Sequence, residues 1–315
     1  MGLPKIRAVV ADLDNTCWDW MGFYIPSMKR FVSDIALLSG TTPEQLYPEI
    51  RAVHQRHGTS EYGWVLQEMP TLQRIKEERG DTRPLAEIYK PAIDAYCEER
   101  DRRLALYPGV APFFNKLGAR GTLRIAFTEA QAFYTATRMK KTGLDQFMDV
   151  LYTPPDTDIP EGIDLGNARS NPPEYYRLRH TQHRALPKGS KKPNPAILKR
   201  ILKEHGLKPE EVLVFGDHLW KDVWMAQQVG CHHAHAYYGD YSRTNTYGDF
   251  MPKVSFYTDA HFEEEKIGKA SAGLIKADIV LQDSPIELFN HFQFVDGPKR
   301  ARLPRGYKPV IQPTR

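Results

Sequence analysis

Six short apolar runs constrain this 315-residue chain more than any other feature: Arg7–Ala11, Leu123–Phe127, Met148–Thr153, Glu211–Phe215, Cys231–Tyr237 and Ala277–Leu281. Each reads as a strand, and helical patterns separate most of them. Strands that are apolar on successive residues are buried on both faces, and consecutive parallel strands need a helix-length crossover between them. The pattern therefore predicts an α/β fold: a parallel sheet covered by helices on both sides. In such sheets ligands bind beyond the carboxyl ends of the strands, so the residues that follow each run carry the functional information.

Arg7–Ala11 stops at Asp12-Leu13-Asp14-Asn15-Thr16. Alternation along an extended chain sends Asp12 and Asp14 to the same side. Two carboxylates that close repel unless a cation is near or one is protonated, which suits a hard divalent metal with nucleophilic or acid–base chemistry. The plain alternative is an Asp-rich turn capped by Asn15 and Thr16. Thr128 ends the second run, and Gly216-Asp217-His218-Leu219-Trp220-Lys221-Asp222 follows the fourth. Lys192 stands before a well-marked helix, with Asn194 as N-cap, Pro195 in the first turn, Ile197, Leu198, Ile201 and Leu202 on one face, and Gly206 as terminator. Another helix is expected from about Lys221 to Gln228. Three strands thus deliver Asp12, Asp14, Thr128, Asp217 and Asp222 to one sheet edge, with Lys192 entering beside them.

The intervening segments suggest the domain plan. Residues 1–25 and 106–295 form the α/β core, and residues 26–105, polar and helix-patterned, form a separate helical module. Two insertions interrupt the core: 154–187, rich in Pro, Gly and polar residues and read as a long lid or loop, and 239–276, Tyr-rich and then acidic at Glu263-Glu264-Glu265. Residues 296–315 are a basic, Pro-rich tail. With 26% charged and 41% hydrophobic residues the composition is that of an ordinary globular protein, and a net charge of +4 is too mild to imply nucleic acid. No apolar run approaches the roughly 18 residues of a membrane helix. The chain enters a strand almost at once, so no signal peptide is expected. Cys17, Cys97 and Cys231 lack CxxC spacing, which predicts reduced thiols in a cytoplasmic protein.

In this order the motifs resemble those of the haloacid dehalogenase-like (HAD) hydrolases: Asp-x-Asp-x-Thr at Asp12–Thr16, Thr128, Lys192 before its helix, and Gly-Asp-x-x-x-x-Asp at Gly216–Asp222. Tyr107-Pro108-Gly109, and the last run followed by a helix from Pro285, also look like members with a helical cap after the first strand. The resemblance implies a Rossmann-like, doubly wound parallel sheet with a smaller α-helical cap domain. It implies that Asp12 is a nucleophile forming an aspartyl-phosphate and that Asp14 is general acid on the leaving oxygen, then general base on water. Thr128 would hydrogen-bond the phosphoryl oxygens and Lys192 neutralise developing charge. Mg²⁺ would take the carboxylates of Asp12 and Asp217 and the carbonyl of Asp14, with Asp222 among or beside the ligands, orienting Lys192 or a bound water. The amides of Leu13 and Asn15 are further candidate phosphate donors. The dehalogenase branch has no carboxylate where Asp14 stands, because a halide leaves without a proton; Asp14 therefore favours phosphoryl transfer. Asn194 replaces the Asp of many relatives, and either can cap the helix. Glu129 and Ala130 follow Thr128 where Asn or Gly is frequent, so the phosphate loop differs and Glu129 becomes a candidate substrate contact.

Substrate choice is expected from the cap. Arg56–Trp64 is a Gly-punctuated polar and aromatic loop whose Tyr62 is the candidate substrate-binding residue; the plain reading is an interhelical loop with Tyr62 and Trp64 buried. Trp18, Trp20 and Tyr24 wall the pocket or pack beneath the cap. The basic stretch Arg177–Arg184, continuing to Lys188, Lys191 and Lys192, recruits a polyanion or is a solvated loop. Cys231-His232-His233-Ala234-His235 invites a zinc reading, which strand alternation argues against. The expected activity is a Mg²⁺-dependent phosphatase acting on a small phosphorylated metabolite, without membrane association. The alternatives are a nucleotide or nucleic-acid-end phosphatase, and a non-catalytic interaction protein on the same fold.

Overall fold

The computed structural model describes residues 2–157, 173–241, 245–258 and 275–300. They fall into two compact units. The first comprises residues 2–19, 105–157, 173–240 and 275–300; the second comprises 20–104, 241 and 245–258. No helix among the described residues is long and apolar enough to cross a membrane.

Among the described residues the first unit has nine strands: β1 (Lys5–Ile6), β2 (Ala8–Ala11), β3 (Leu123–Phe127), β4 (Val150–Thr153), β5 (Gln182–Ala185), β6 (Val212–Gly216), β7 (His232–Ala236), β8 (Ile279–Leu281) and β9 (Gln293–Phe294). Seven of them form one parallel sheet in the order β5-β4-β3-β2-β6-β7-β8, and β1 pairs with β9. The chain winds outward from β2 to one edge, then returns to its other side at β6. This is a Rossmann-like doubly wound sheet with its switch point at β2, where the strand order leaves a crevice for ligands. Register makes the three central strands end together, since Ala11 lies opposite Ala126 on one side and Phe215 on the other.

All four residues of β2 and all five of β6 are buried, as their unbroken apolar sequences require. On one face Val10, Ile125, Val214 and Tyr152 pack with Leu198, Ile201 and Leu202 of the helix Pro195–Glu204. On the other, Phe113 and Phe114 meet Phe215, with ring centroids 5.8 and 6.3 Å apart. Each such side chain contributes about 1.5–3 kcal/mol when fully removed from water.

Two core elements differ from expectation. β5 lies inside the segment read as a loop at 154–187. Its sequence Gln-His-Arg-Ala has no apolar signature, because an edge strand needs pairing on one side only. Its Arg184 is buried and paired with Glu204 at 2.8 Å, and Lys192 is also buried in ion pairs, so the basic stretch is partly consumed by the fold. The helix expected from Lys221 begins instead at Leu219 as a π-helical turn to Trp224, and continues as α-helix over Met225–Val229. Residues 158–172, 242–244, 259–274 with Glu263–Glu265, and 301–315 lie outside the described residues.

The second unit is helical: Trp20–Ser39, Pro43–His57, Pro70–Glu78, Leu85–Ile88, Lys90–Arg103 and Asn245–Val254. Its first helix starts at Trp20, so the boundary expected at residue 26 falls inside a helix. Residues 245–258, expected as part of a core insertion, belong to this unit instead. His54 Nδ1 donates to the Val254 carbonyl at 2.5 Å and Gln55 Nε2 to that of Tyr257 at 3.2 Å. Tyr24 is buried, stacked on Trp20, with its hydroxyl donating to the Ser60 carbonyl at 2.9 Å. Tyr62, the candidate substrate residue, is buried within this unit. Its ring stacks on His57 at 3.6 Å and its hydroxyl donates to Glu68 at 2.6 Å, while Trp64 in the same loop is half-buried.

Candidate active site

β2 delivers Asp12 to the switch point, where its amide donates to the Phe215 carbonyl at 3.0 Å. The chain then turns tightly: the Leu13 carbonyl accepts from the amides of Thr16, Cys17 and Trp18. Asn15 closes the turn with a φ of 58°, a left-handed conformation that Asn tolerates better than most residues. Its amide donates to the Trp18 carbonyl at 2.8 Å. That bond takes the Asn15 amide out of the expected phosphate-donor set. Leu13 is buried and lends its carbonyl, not its amide, to the turn.

Asp12 and Asp14 leave this turn into different surroundings. Lys192 Nζ donates to Asp12 Oδ1 at 2.7 Å and to Asp222 Oδ1 at 2.8 Å, and sits 4.9 Å from the Phe127 ring centroid. Asp14 Oδ1 accepts from Trp18 Nε1 at 2.5 Å and from Arg138 Nη1 at 3.3 Å. The carboxylates of Asp12, Asp217 and Asp222 converge, with one oxygen of each within 4.8 Å of the others. The side chain of Asp14 is not in that cluster. Asp217 is latched by Thr16, whose hydroxyl accepts from the Asp217 amide at 2.9 Å and lies 3.2 Å from Asp217 Oδ1. His235 Nε2 donates to the Asp217 carbonyl at 2.9 Å, and the Tyr238 hydroxyl donates to the Thr16 carbonyl at 2.8 Å.

Charge is out of balance here. Burial pushes the Asp12 carboxyl up to about 7; Lys192 opposes that rise, while Asp222 and Asp14 add to it. Burial, then Asp12 and Asp222, hold the Asp217 carboxyl well above the usual range. Burial disfavours the Lys192 ammonium, yet its two carboxylate partners outweigh this and keep its pKa above that of an ordinary lysine. Three carboxylates converge, of which Lys192 pairs with Asp12 and Asp222, an arrangement that a hard divalent cation such as Mg²⁺ fits by both charge and donor type.

Thr128 is buried at the end of β3. Its hydroxyl accepts from the Ala130 amide at 3.1 Å, which leaves the O–H proton to donate. Glu129 has a different task from the one expected. Its Oε1 accepts from the Lys192 amide at 3.0 Å and its Oε2 from Lys221 Nζ at 2.7 Å. Burial opposes its ionisation, but Lys221 and Lys192 hold its pKa below the ordinary value. Both oxygens of Glu129 are thus engaged by lysines, one by the Lys192 backbone and one by the Lys221 side chain. The zinc reading of residues 231–235 also fails among the described residues. His235 faces Asp217, whereas His233 Nδ1 accepts from the Asp278 amide at 2.9 Å, and these side chains join no convergent ligand group.

Sequence reasoning passed over Thr16 as a latch, and Arg138, Trp18, His235 and Tyr238 as supports. Arg138 left one signal: with Thr135, Ala136 and Met139 it lies on the buried face of the helix Ala132–Lys141, where a charge is out of place unless paired.

Comparison with known proteins places the chain. A glyceraldehyde 3-phosphate phosphatase of Pyrococcus furiosus is 37% identical over 67 residues, covering 20% of this chain and 28% of that protein's length. A glyceraldehyde 3-phosphate phosphatase of Methanopyrus kandleri is 24% identical over 235 residues, 71% of this chain and 81% of that protein. Among solved structures, a HAD phosphatase from Thermococcus onnurineus has a TM-score of 0.48 at 15% identity, covering 90% of this chain and 97% of its own. The family model for haloacid dehalogenase-like hydrolases matches residues 6–230, which contain the Asp12–Thr16 turn, Thr128, Lys192 and the Asp217–Asp222 turn. The chain belongs to the haloacid dehalogenase-like hydrolases.

Proposed function

We propose that this protein is a Mg²⁺-dependent phosphatase that hydrolyses a small phosphorylated metabolite through an aspartyl-phosphate. The observation that carries the reading is the division of the Asp pair: Asp12 is bonded to the Lys192 ammonium beside two further carboxylates, whereas Asp14 is held apart by Trp18 and Arg138. The names of the two curated relatives support a small phosphate ester as substrate.

In this reading an oxygen of Asp12 attacks phosphorus as the bond to the leaving oxygen breaks, and Asp14 protonates that oxygen. Lys192 holds the nucleophile in place and offsets charge on the transferring group, while the Thr128 hydroxyl donates to a phosphoryl oxygen. Water then attacks the phosphorus of the aspartyl-phosphate, Asp14 takes its proton, and inorganic phosphate leaves. Asp12 and Asp217, with Asp222 beside them, would hold Mg²⁺, which would supply positive charge against the phosphoryl oxygens. The test is phosphate release from an aryl phosphate and a panel of phosphorylated metabolites, with Mg²⁺ and with chelator. Turnover is expected only with the metal and is expected to vanish in Asp12→Asn. No turnover across the panel with Mg²⁺ present, or substantial turnover by Asp12→Asn, overturns the reading.

A further inference from the structure

We infer that Trp18 and Arg138 form a clamp that decides which oxygen of Asp14 carries the transferred proton. The inference rests on the phosphatase reading above and adds two positioning residues to it.

Both contacts fall on the same atom. The Trp18 indole nitrogen and an Arg138 guanidinium nitrogen approach Asp14 Oδ1 at 2.5 and 3.3 Å. An indole N–H and a guanidinium can only donate, so neither competes for the proton that Asp14 moves. A carboxylic acid has one oxygen that bears hydrogen and one that does not. Two donors aimed at Oδ1 make it the bare, carbonyl-like oxygen and put the proton on Oδ2. Oδ2 then gives its proton to the leaving oxygen as that oxygen takes the electron pair of the breaking P–O bond. In the second step the same Oδ2 takes a proton from water, as the water oxygen bonds to phosphorus and the Asp12–phosphorus bond breaks with its electron pair returning to Asp12.

The clamp is rigid on both arms. Trp18 is fully buried, its amide donating to the Leu13 carbonyl and its carbonyl accepting from the Asn15 amide, and it forms a bridge with Leu106. The Arg138 side chain is only 4% exposed and lies 5.9 Å from the Tyr134 ring centroid, on the buried face of its helix. Asp14 itself is partly open, with its side chain 22% exposed, as a group that must reach substrate requires. Donors fixed before substrate arrives spare the enzyme the cost of orienting the carboxyl during reaction.

The experiment is a leaving-group series, from 2,4-dinitrophenyl phosphate through phenyl to alkyl phosphates, read as kcat/KM with Mg²⁺. That constant reports only steps up to the aspartyl-phosphate, so it isolates the proton delivered to the leaving oxygen. Trp18→Phe removes one N–H and keeps the ring; Arg138→Met removes the other donor and keeps the length. Each is expected to steepen the dependence on leaving-group pKa, with a loss on alkyl phosphates about tenfold or more larger than on the dinitrophenyl ester. Arg138→Lys, which keeps a cationic donor, is expected to recover part of the slope. A structural or binding role alone would depress the whole series equally, and that result, or no change at all, overturns the clamp. The two single variants test it separately, so one that fails to fold leaves the other decisive. If the unaltered enzyme turns over neither this series nor the metabolite panel, the phosphatase reading fails; if it turns over the series and the slopes are parallel, only the clamp fails.

Discussion

Lys192 concentrates the site's residue-scale physics. A single buried ammonium bridges two carboxylates, and its own backbone amide is held by Glu129. Replacing it by Met removes the cation paired with Asp12 and Asp222. We expect kcat to fall by about 10²–10³, the scale seen when one preorganised electrostatic group is lost, as measured by steady-state phosphate release. The protein should also melt at lower temperature when stripped of metal, because the carboxylates are left to repel. Most of this cluster was legible in the sequence for a definite reason. Asp12, Thr128 and Asp217 each terminate an apolar strand, and Lys192 precedes a helix with unmistakable start signals. What was not legible depends on contacts distant in sequence. Glu129 is paired at 2.7 Å with Lys221, 92 residues away, a contact no local pattern announces. The Asn15 amide looked available until its turn closed on Trp18.

Elements fix how these residues meet. The helix Pro195–Glu204 begins three residues after Lys192, and the Asn194 side chain accepts from the Ile197 amide at 3.1 Å. Asn194→Ala should cost about 1 kcal/mol of stability by urea unfolding, and kcat should fall as well because the fraying turn carries the lysine. The loop after β7 is held more tightly still. A Cβ added at Gly239 would come within 1.6 Å of the Asn15 carbonyl oxygen, a backbone atom with no room to retreat. Gly239→Ala should therefore displace the turn after β2 and abolish measurable turnover, while far-ultraviolet circular dichroism keeps its native form. Retained activity would show that the two loops tolerate separation. Periodicity located six strands and the Asn194 helix because burial on both faces writes itself into composition. It missed β5, whose Thr153–His183 and Arg184–Glu204 contacts make a polar sequence suit an edge. It also missed the π-helical turn, because the single extra residue that widens a helix leaves no mark in an apolar pattern.

At the scale of the molecule, buried ionisable groups couple stability to pH, and the two units do so through different residues. In the helical unit burial lowers the His54 pKa to about 4, and its neutral ring donates to the Val254 carbonyl. The unfolded chain takes up a proton near pH 6.5 that the folded unit refuses until about pH 4. This contribution is therefore intact above pH 6.5 and is lost as pH falls through that window. Relative to His54→Gln, the wild-type protein should lose about 2 kcal/mol between pH 7.5 and pH 4.5 in urea titrations. Parallel curves would show that His54 is accessible to protons in the folded state. The α/β unit runs the other way. Burial raises Asp12 to about 7, so the folded site binds a proton there that the unfolded chain does not, and the metal-free site grows more stable as pH falls from about 7 toward 4. A divalent cation needs the same oxygens deprotonated and thus competes with that proton. The rise in melting temperature produced by Mg²⁺ should be large near pH 8, shrink toward pH 5, and disappear at both in Asp217→Asn. Differential scanning calorimetry with and without chelator measures this directly, and a Mg²⁺ shift independent of pH would place the cation somewhere other than among Asp12, Asp217 and Asp222.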